Sequence, residues 1–269
     1  MRALFDFIGG MFLRDEVICK YQSGPKEVAK VNNSEYGICI RKIKKDSIQP
    51  KRIIQEIEIQ KNLNSPYYPK IYFSNYSGND IKVYEEFIEG RVLTQIIKDD
   101  NYFKNNEINC LIFLKSIING LNVIWDKDIV HRDLKPDNII VRENGEPVIL
   151  DLGLAKVLTN TTNSTSVWLT HGYAAPEQIL GTRVYHKRTD FFSLGTIIYE
   201  MFFGVRLFAN DKETVFKTPN YNYNNYSPSI QFKKILKGML EKEMAHRYRK
   251  SSDIIEDINI ALKESEVNE

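Results

Sequence analysis

Three cysteines, Cys19, Cys39 and Cys110, are all that the 269 residues contain, and they stand at no metal-ligand spacing. So sparse and odd a set excludes a disulfide framework and a zinc cluster, and a reducing cytoplasm is the expected compartment. An excess of one charge is lacking too: 37 basic against 35 acidic side chains leave +2, which gives no reason to expect nucleic acid as a partner. No run approaches the roughly 18 apolar residues of a membrane-spanning helix, so no transmembrane segment is expected. The opening residues Leu4, Phe5, Phe7, Ile8, Met11, Phe12 and Leu13 are apolar but broken by Asp6 and two glycines, too interrupted for a signal-peptide core. Residues 1–15 read as an apolar extension, either a membrane-surface or partner-binding element or, the favoured reading, a segment packed against the adjoining part of the fold.

What is present is the composition of one soluble globular unit, 42% hydrophobic and 27% charged. Residues 17–43 alternate Val, Ile and Tyr with polar residues around Gly24-Pro25 and Asn32-Asn33-Ser34, which predicts a small β-meander. The spacing then turns helical over 50–63, with Ile53, Ile57 and Leu63 on related faces and Pro66 and Pro69 closing the segment. A strand is expected over 81–87. Beyond residue 107, Ile108, Leu111, Ile112, Leu114, Ile117, Ile118, Leu121 and Ile124 form the wide apolar stripe of a core helix. Ile139-Ile140-Val141 and Val148-Ile149-Leu150 read as strands flanking a turn at Asn144-Gly145.

Between these elements lies the block His131-Arg132-Asp133-Leu134-Lys135-Pro136-Asp137-Asn138, followed by Asp151-Leu152-Gly153 and by Ala175-Pro176-Glu177. The residue types suit phosphoryl transfer, where catalysis is mostly positioning of two oxygens and neutralisation of spreading charge. Asp133 offers a carboxylate that can orient an alcohol and take its proton, Lys135 a cation for a γ-phosphate, and Asn138 a neutral oxygen for Mg²⁺. Asp151 supplies the anionic oxygen that a hard cation prefers. An isolated aspartate would more often be a solvated surface group, but an eight-residue block with two distant partners is not isolated.

On these motifs the chain resembles the eukaryotic-like (Hanks-type) protein Ser/Thr kinases, from about Val17 to about Ile260. The resemblance implies an α+β, bilobal fold: a small antiparallel β-sheet lobe with helix C over 16–87 and a mainly α-helical large lobe over 88–269, together a single catalytic domain over 16–262. It implies ATP and Mg²⁺ as cofactors, with Asn138 and Asp151 as metal ligands, and a protein substrate with a Ser/Thr acceptor. Segment 50–63 becomes helix C with Glu56 as its acidic residue and Glu58 as fallback. Glu86 and Ile88 become the hinge that holds adenine, Val28 and Ile140 further nucleotide-site positions, and Glu85 a gatekeeper of unusual charge. Thr170, before Glu177, and Lys135 favour Ser/Thr acceptors over tyrosine. Glu177 is expected to pair with Arg247, and Asp190 to anchor the catalytic-loop backbone.

Thr161, Thr162, Ser164, Thr165 and Ser166, in a polar stretch after Asp151, are either phosphorylation sites whose phosphate pairs with Arg132 or part of a plain flexible loop. The small lobe departs from the family. Its glycine-rich loop keeps only Gly24, and the strand lysine is replaced, in two registers, by Cys39 or Arg41. Side chains 37, 39 and 41 share a face, taken as the site face, with Lys42 on the other. Lys26, the position used by the "with no lysine" subgroup, is a second candidate beside Arg41. Gln60 stands where the family has an apolar residue, and Leu152 where it has Phe. Three classes remain: an active protein kinase, a pseudokinase acting as a nucleotide-binding or regulatory module, and a small-molecule kinase. The Lys135-Pro136 pair and Ala-Pro-Glu block speak against the last.

Overall fold

β-Branched and aromatic alternation builds about half of the first ninety residues into sheet, and the computed structural model shows how. It describes residues 5–8, 11–21, 27–44, 50–77, 80–152, 156–157, 172–182, 186–209, 211, 213–217 and 228–267. The chain divides into two compact units, Met1–Glu89 and Gly90–Glu269.

In the first unit β1 (Phe5–Ile8), β2 (Met11–Tyr21), β3 (Glu27–Asn33) and β4 (Gly37–Lys44) precede helix α1 (Pro50–Lys61), and β5 (Ile71–Ser77) and β6 (Asp80–Glu86) follow it. All six strands join one antiparallel sheet in the order β1-β2-β3-β4-β6-β5. The stretch read as an apolar extension is part of this sheet: Phe5 pairs with Arg14 and Ile8 with Met11, and β2 runs on through Asp15. The interruptions that rule out a signal core are no obstacle to a strand, whose period is two.

Register sorts this sheet into two faces. Lys42 stands opposite Val28 and Val83, Ile40 opposite Lys30 and Glu85, and Lys44 opposite Ile81. Helix α1 covers this face, with Ile53, Ile54 and Ile57 against Ile71, Ile81 and Val83. The other face carries Ala29, Val31, Cys39 and Tyr84, all fully buried, with Tyr36 and Phe73 beside them. Gln60, the polar oddity of α1, is satisfied: its Nε2 donates to the Pro69 carbonyl at 2.9 Å.

The second unit opens with β7 (Arg91–Val92), α2 (Leu93–Asp99), α3 (Glu107–Trp125), β8 (Ile129–Val130), β9 (Ile139–Val141), β10 (Pro147–Ile149) and β11 (Lys156–Val157). After it come α4 (Pro176–Ile179), α5 (Lys187–Phe203), α6 (Ile230–Leu240) and α7 (Ser251–Val267). Strands β7, β9 and β10 form a small antiparallel sheet, and β8 pairs with β11. Gly90 precedes β7 at φ +152°, where an added Cβ would collide with the Val141 carbonyl, so no side chain fits.

Helix α3 bears on the reading of apolar runs. Among the described residues it is the one helix long and apolar enough, by length and composition, to cross a membrane. Its apolar face, including Leu111, Leu114, Ile117, Ile118 and Leu121, is buried, and the helix packs on α5 and α7. These features belong to a core helix as the stripe predicts.

Candidate functional site

The catalytic-loop block lies between β8 and β9 and is shaped from beneath by α5. Asp190 is fully buried, and its carboxylate accepts from the backbone N–H of His131 at 2.9 Å, that of Arg132 at 2.8 Å and the Trp125 indole at 2.8 Å. Burial pushes the Asp190 carboxyl above the usual carboxylate range, with these hydrogen bonds opposing the rise. They hold Arg132 at φ +71°, a left-handed conformation that costs a non-glycine residue about 1–2 kcal/mol. Gln178 of α4 locks the same turn, donating from Nε2 to the Arg132 carbonyl at 2.9 Å and accepting from the Ala175 N–H at 3.0 Å.

This loop gathers the three expected catalytic side chains. Lys135 Nζ lies 3.0 Å from Asp133 Oδ2. Asn138 Nδ2 donates to the same oxygen at 3.2 Å and to the Asp133 carbonyl at 2.9 Å. Both contacts use the amide nitrogen, so the amide oxygen of Asn138 is turned away from Asp133. The Leu150 N–H bonds the Asn138 carbonyl at 2.8 Å, which ties the end of β10 to the loop, and the next residue is Asp151. Asp151 stands at φ +57°, a conformation that Asp tolerates better than most residues. His131, also fully buried, faces the Leu150 carbonyl through Nε2 at 3.3 Å and receives the Asp133 N–H at Nδ1 at 3.4 Å, fixing its ring between loop and strand.

Glu177 and Arg247 form the expected fork, 2.8 and 2.7 Å, and the Thr189 hydroxyl donates to the same carboxylate. Arg247 also donates to the Glu241, Lys242 and Arg188 carbonyls and lies over the Phe192 ring. The sequence motifs do not single out Gln178, Trp125 or Thr189.

In the first unit, the strand face that carries Cys39 and Arg41 is the one turned away from α1. Both lie there in a buried polar and apolar cluster. Arg41 pairs with Asp15 and Glu27, both at 2.7 Å, with the Arg41 and Asp15 side chains only 6% and 4% exposed. The Tyr84 hydroxyl and Asn33 Nδ2 complete the Asp15 carboxylate at 2.8 and 2.7 Å. Arg41 is thus held by two carboxylates of its own sheet, and burial pushes the Cys39 thiol up to about 11. Strand alternation gives parity but does not say which face a helix will cover.

Lys42, on the helix side, lies 2.6 Å from Glu85 and lines a small pocket with Glu56, Ile57, Gln60 and Val83. Glu58 is elsewhere, at the surface, with Lys61 and the Tyr76 hydroxyl. Glu86 donates its N–H to the Lys70 carbonyl at 2.8 Å, Ile88 is buried, Val28 is half-buried opposite Lys42, and Ile140 is half-buried on β9. Gly24, Lys26, Thr161, Thr162, Ser164, Thr165, Ser166 and Thr170 lie outside the described residues.

The Asp15 cluster carries a pH signature. Burial alone would raise the Asp15 carboxyl, but hydrogen bonds from Asn33, Arg41 and Tyr84 hold it below its ordinary range. A carboxyl depressed on folding stabilises above its unfolded value, about 3.9, and that contribution disappears as pH falls through the folded value. Thermal melts of the parent should therefore lose stability on acidification below about pH 4. Asp15→Asn should be destabilised at neutral pH and show a shallower acid limb; parallel limbs would refute the assignment.

Comparison with protein families matches residues 25–257 to the protein kinase domain. The chain belongs to the protein kinase family. It is similar to a probable serine/threonine-protein kinase of Clostridium perfringens, 33% identical over 68% of this chain and 27% of that protein. It is also similar to mitogen-activated protein kinase kinase 1 of Arabidopsis thaliana, 29% identical over 69% of this chain and 52% of that one. A third relative is serine/threonine-protein kinase AtPK1/AtPK6 of Arabidopsis thaliana, 27% identical over 84% of this chain and 48% of its own length. The chain spans about half or less of the length of these relatives. The α+β architecture agrees with the family: among the described residues, an antiparallel sheet with one helix in the first unit, mainly helices in the second.

Proposed function

We propose that this protein kinase domain transfers the γ-phosphoryl group of ATP to Ser/Thr hydroxyls of a protein substrate, working in a reducing cytoplasm. The observation that carries the reading is the Asp133 carboxylate held against both Lys135 and Asn138 on one rigid turn. Asp133 orients the acceptor hydroxyl and receives its proton at a carboxylate oxygen. Lys135 sets a positive charge beside that carboxylate, where the moving phosphoryl group gathers negative charge. The pair is a positioning device as much as an electrostatic one.

The donor set fits Mg²⁺: one anionic oxygen from Asp151 and the neutral amide oxygen of Asn138, whose nitrogen is committed to Asp133. When bound, Mg²⁺ neutralises phosphate charge. In this reading Lys42, which lines one pocket with Glu56 of helix α1, takes the place of the family's strand lysine, with Glu56 as the helix C acid. In the family's pattern Glu86 and Ile88 are backbone positions for adenine, and Val28 and Ile140 are apolar nucleotide positions, each in its own unit. Autophosphorylation within Thr161–Ser166, read through Arg132, belongs to the same proposal.

The test is transfer of label from γ-labelled ATP with Mg²⁺ to the chain itself and to a generic Ser/Thr protein substrate. Parent protein should label and Asp151→Ala should not. Lys42→Met should lower the rate by about 10²-fold or more, the usual scale for one electrostatic group at a reacting centre. ATP binding without label in the parent would favour the pseudokinase reading.

A further inference from the structure

Glu85 is a buried carboxylate to which the proposed chemistry gives no task. It is the penultimate residue of β6, its side chain is 7% exposed, and it pairs with Lys42 at 2.6 Å. Taking a carboxylate out of water is costly unless a cation and hydrogen bonds replace the water. Lys42 can serve more than one anion, since an ammonium has three donors, and it keeps 29% of its side chain exposed. Glu56 reaches the same pocket from α1. Gln60 lines the same pocket, with its Nε2 donated to the Pro69 carbonyl.

We propose that Glu85 is a positioning residue which shares the Lys42 ammonium with Glu56, so that the lysine is anchored from within its own sheet as well as from the helix. The inference rests on Lys42 being the nucleotide-site lysine. Its physical content is geometric. Glu85 and Lys42 sit on adjacent, directly hydrogen-bonded strands, with Ile40 opposite Glu85 and Val83 opposite Lys42. A displacement of α1 that carried Glu56 away would leave the strand-to-strand pair intact. Lys42 would then keep its orientation where a lysine held by the helix alone would lose it.

The experiment compares Glu56→Gln, Glu85→Gln, the double variant and Lys42→Met in labelled transfer, with kcat and KM for ATP separated, and follows each by thermal melt. Either single glutamine variant should lose less than about ten-fold in kcat, and the double variant should fall to the Lys42→Met level, about a hundred-fold down. In the melts, Glu85→Gln and Lys42→Met should be non-additive, because each removes the same pair. Glu56→Gln alone reaching the Lys42→Met level while Glu85→Gln matches the parent would overturn the proposal, as would additive melting shifts. A fully active Lys42→Met protein overturns it through the reading of Lys42, and persisting non-additivity in the melts identifies that as the failure. Should Glu85→Gln not fold, Lys42→Met/Glu85→Met supplies an apolar pair in the same space, and its recovery of the melting temperature relative to Glu85→Met is the readout.

Discussion

Asp133→Asn is expected to lower phosphoryl transfer by about 10²–10⁴-fold while leaving the fold intact, the range set by loss of one general base. Asparagine keeps the size of the side chain and can turn its oxygen toward Lys135 and Asn138, which now meet at Asp133 Oδ2. What it cannot do is accept the proton of the attacking hydroxyl. The melting temperature should stay within a few degrees of the parent, and ATP binding should persist. A rate equal to the parent's would remove Asp133 from the chemistry and with it the proposed mechanism.

The largest effect on stability is expected at the Glu177–Arg247 fork. The Arg247 side chain is fully buried and binds both carboxylate oxygens and three backbone carbonyls drawn from α5 and the segment after α6. Removing one partner strands a buried charge, which costs about 3–5 kcal/mol. Arg247→Met should therefore shift chemical denaturation by that amount, and Glu177→Gln by less, since its amide oxygen can still accept. Because Glu177 and Gln178 are neighbours and Gln178 holds the Arg132 carbonyl, loss of the fork should also lower transfer without touching a reacting atom. Wild-type denaturation for Arg247→Met would show that the fork adds nothing net to the fold.

Much of the second unit is legible in the sequence because its chemistry is local. The block from His131 to Asn138 specifies a turn whose side chains meet within a few residues, and the stripe from Ile108 to Ile124 has helical spacing and the burial to match. Legibility ends where a long-range choice decides. Alternation in β4 correctly separates Lys42 from Cys39 and Arg41, yet only the packing of α1 determines which side faces the helix. The Asp15 partner of Arg41 lies in a stretch that reads as an extension, so the sequence shows no counterion for that arginine. Residues 5–8 and 11–15 read as too interrupted for a signal-peptide core and become paired strands once pairing partners exist. Gln178 and Trp125 each reach a group far away in the chain, the Arg132 carbonyl and the Asp190 carboxylate, a signal that no periodicity carries.

The anchoring of the Arg132 turn by Asp190 places the determinant of loop shape at the solvent-free centre of the second unit. Trp125 donates to Asp190 and stacks edge-on against Phe191, so the aromatic packing of that centre and the backbone of the loop are mechanically one object. A random mutagenesis screen scored only by loss of label transfer would therefore return interior aromatic positions beside Asp133 and Asp151. Sorting the two groups would require the melting curve of every hit.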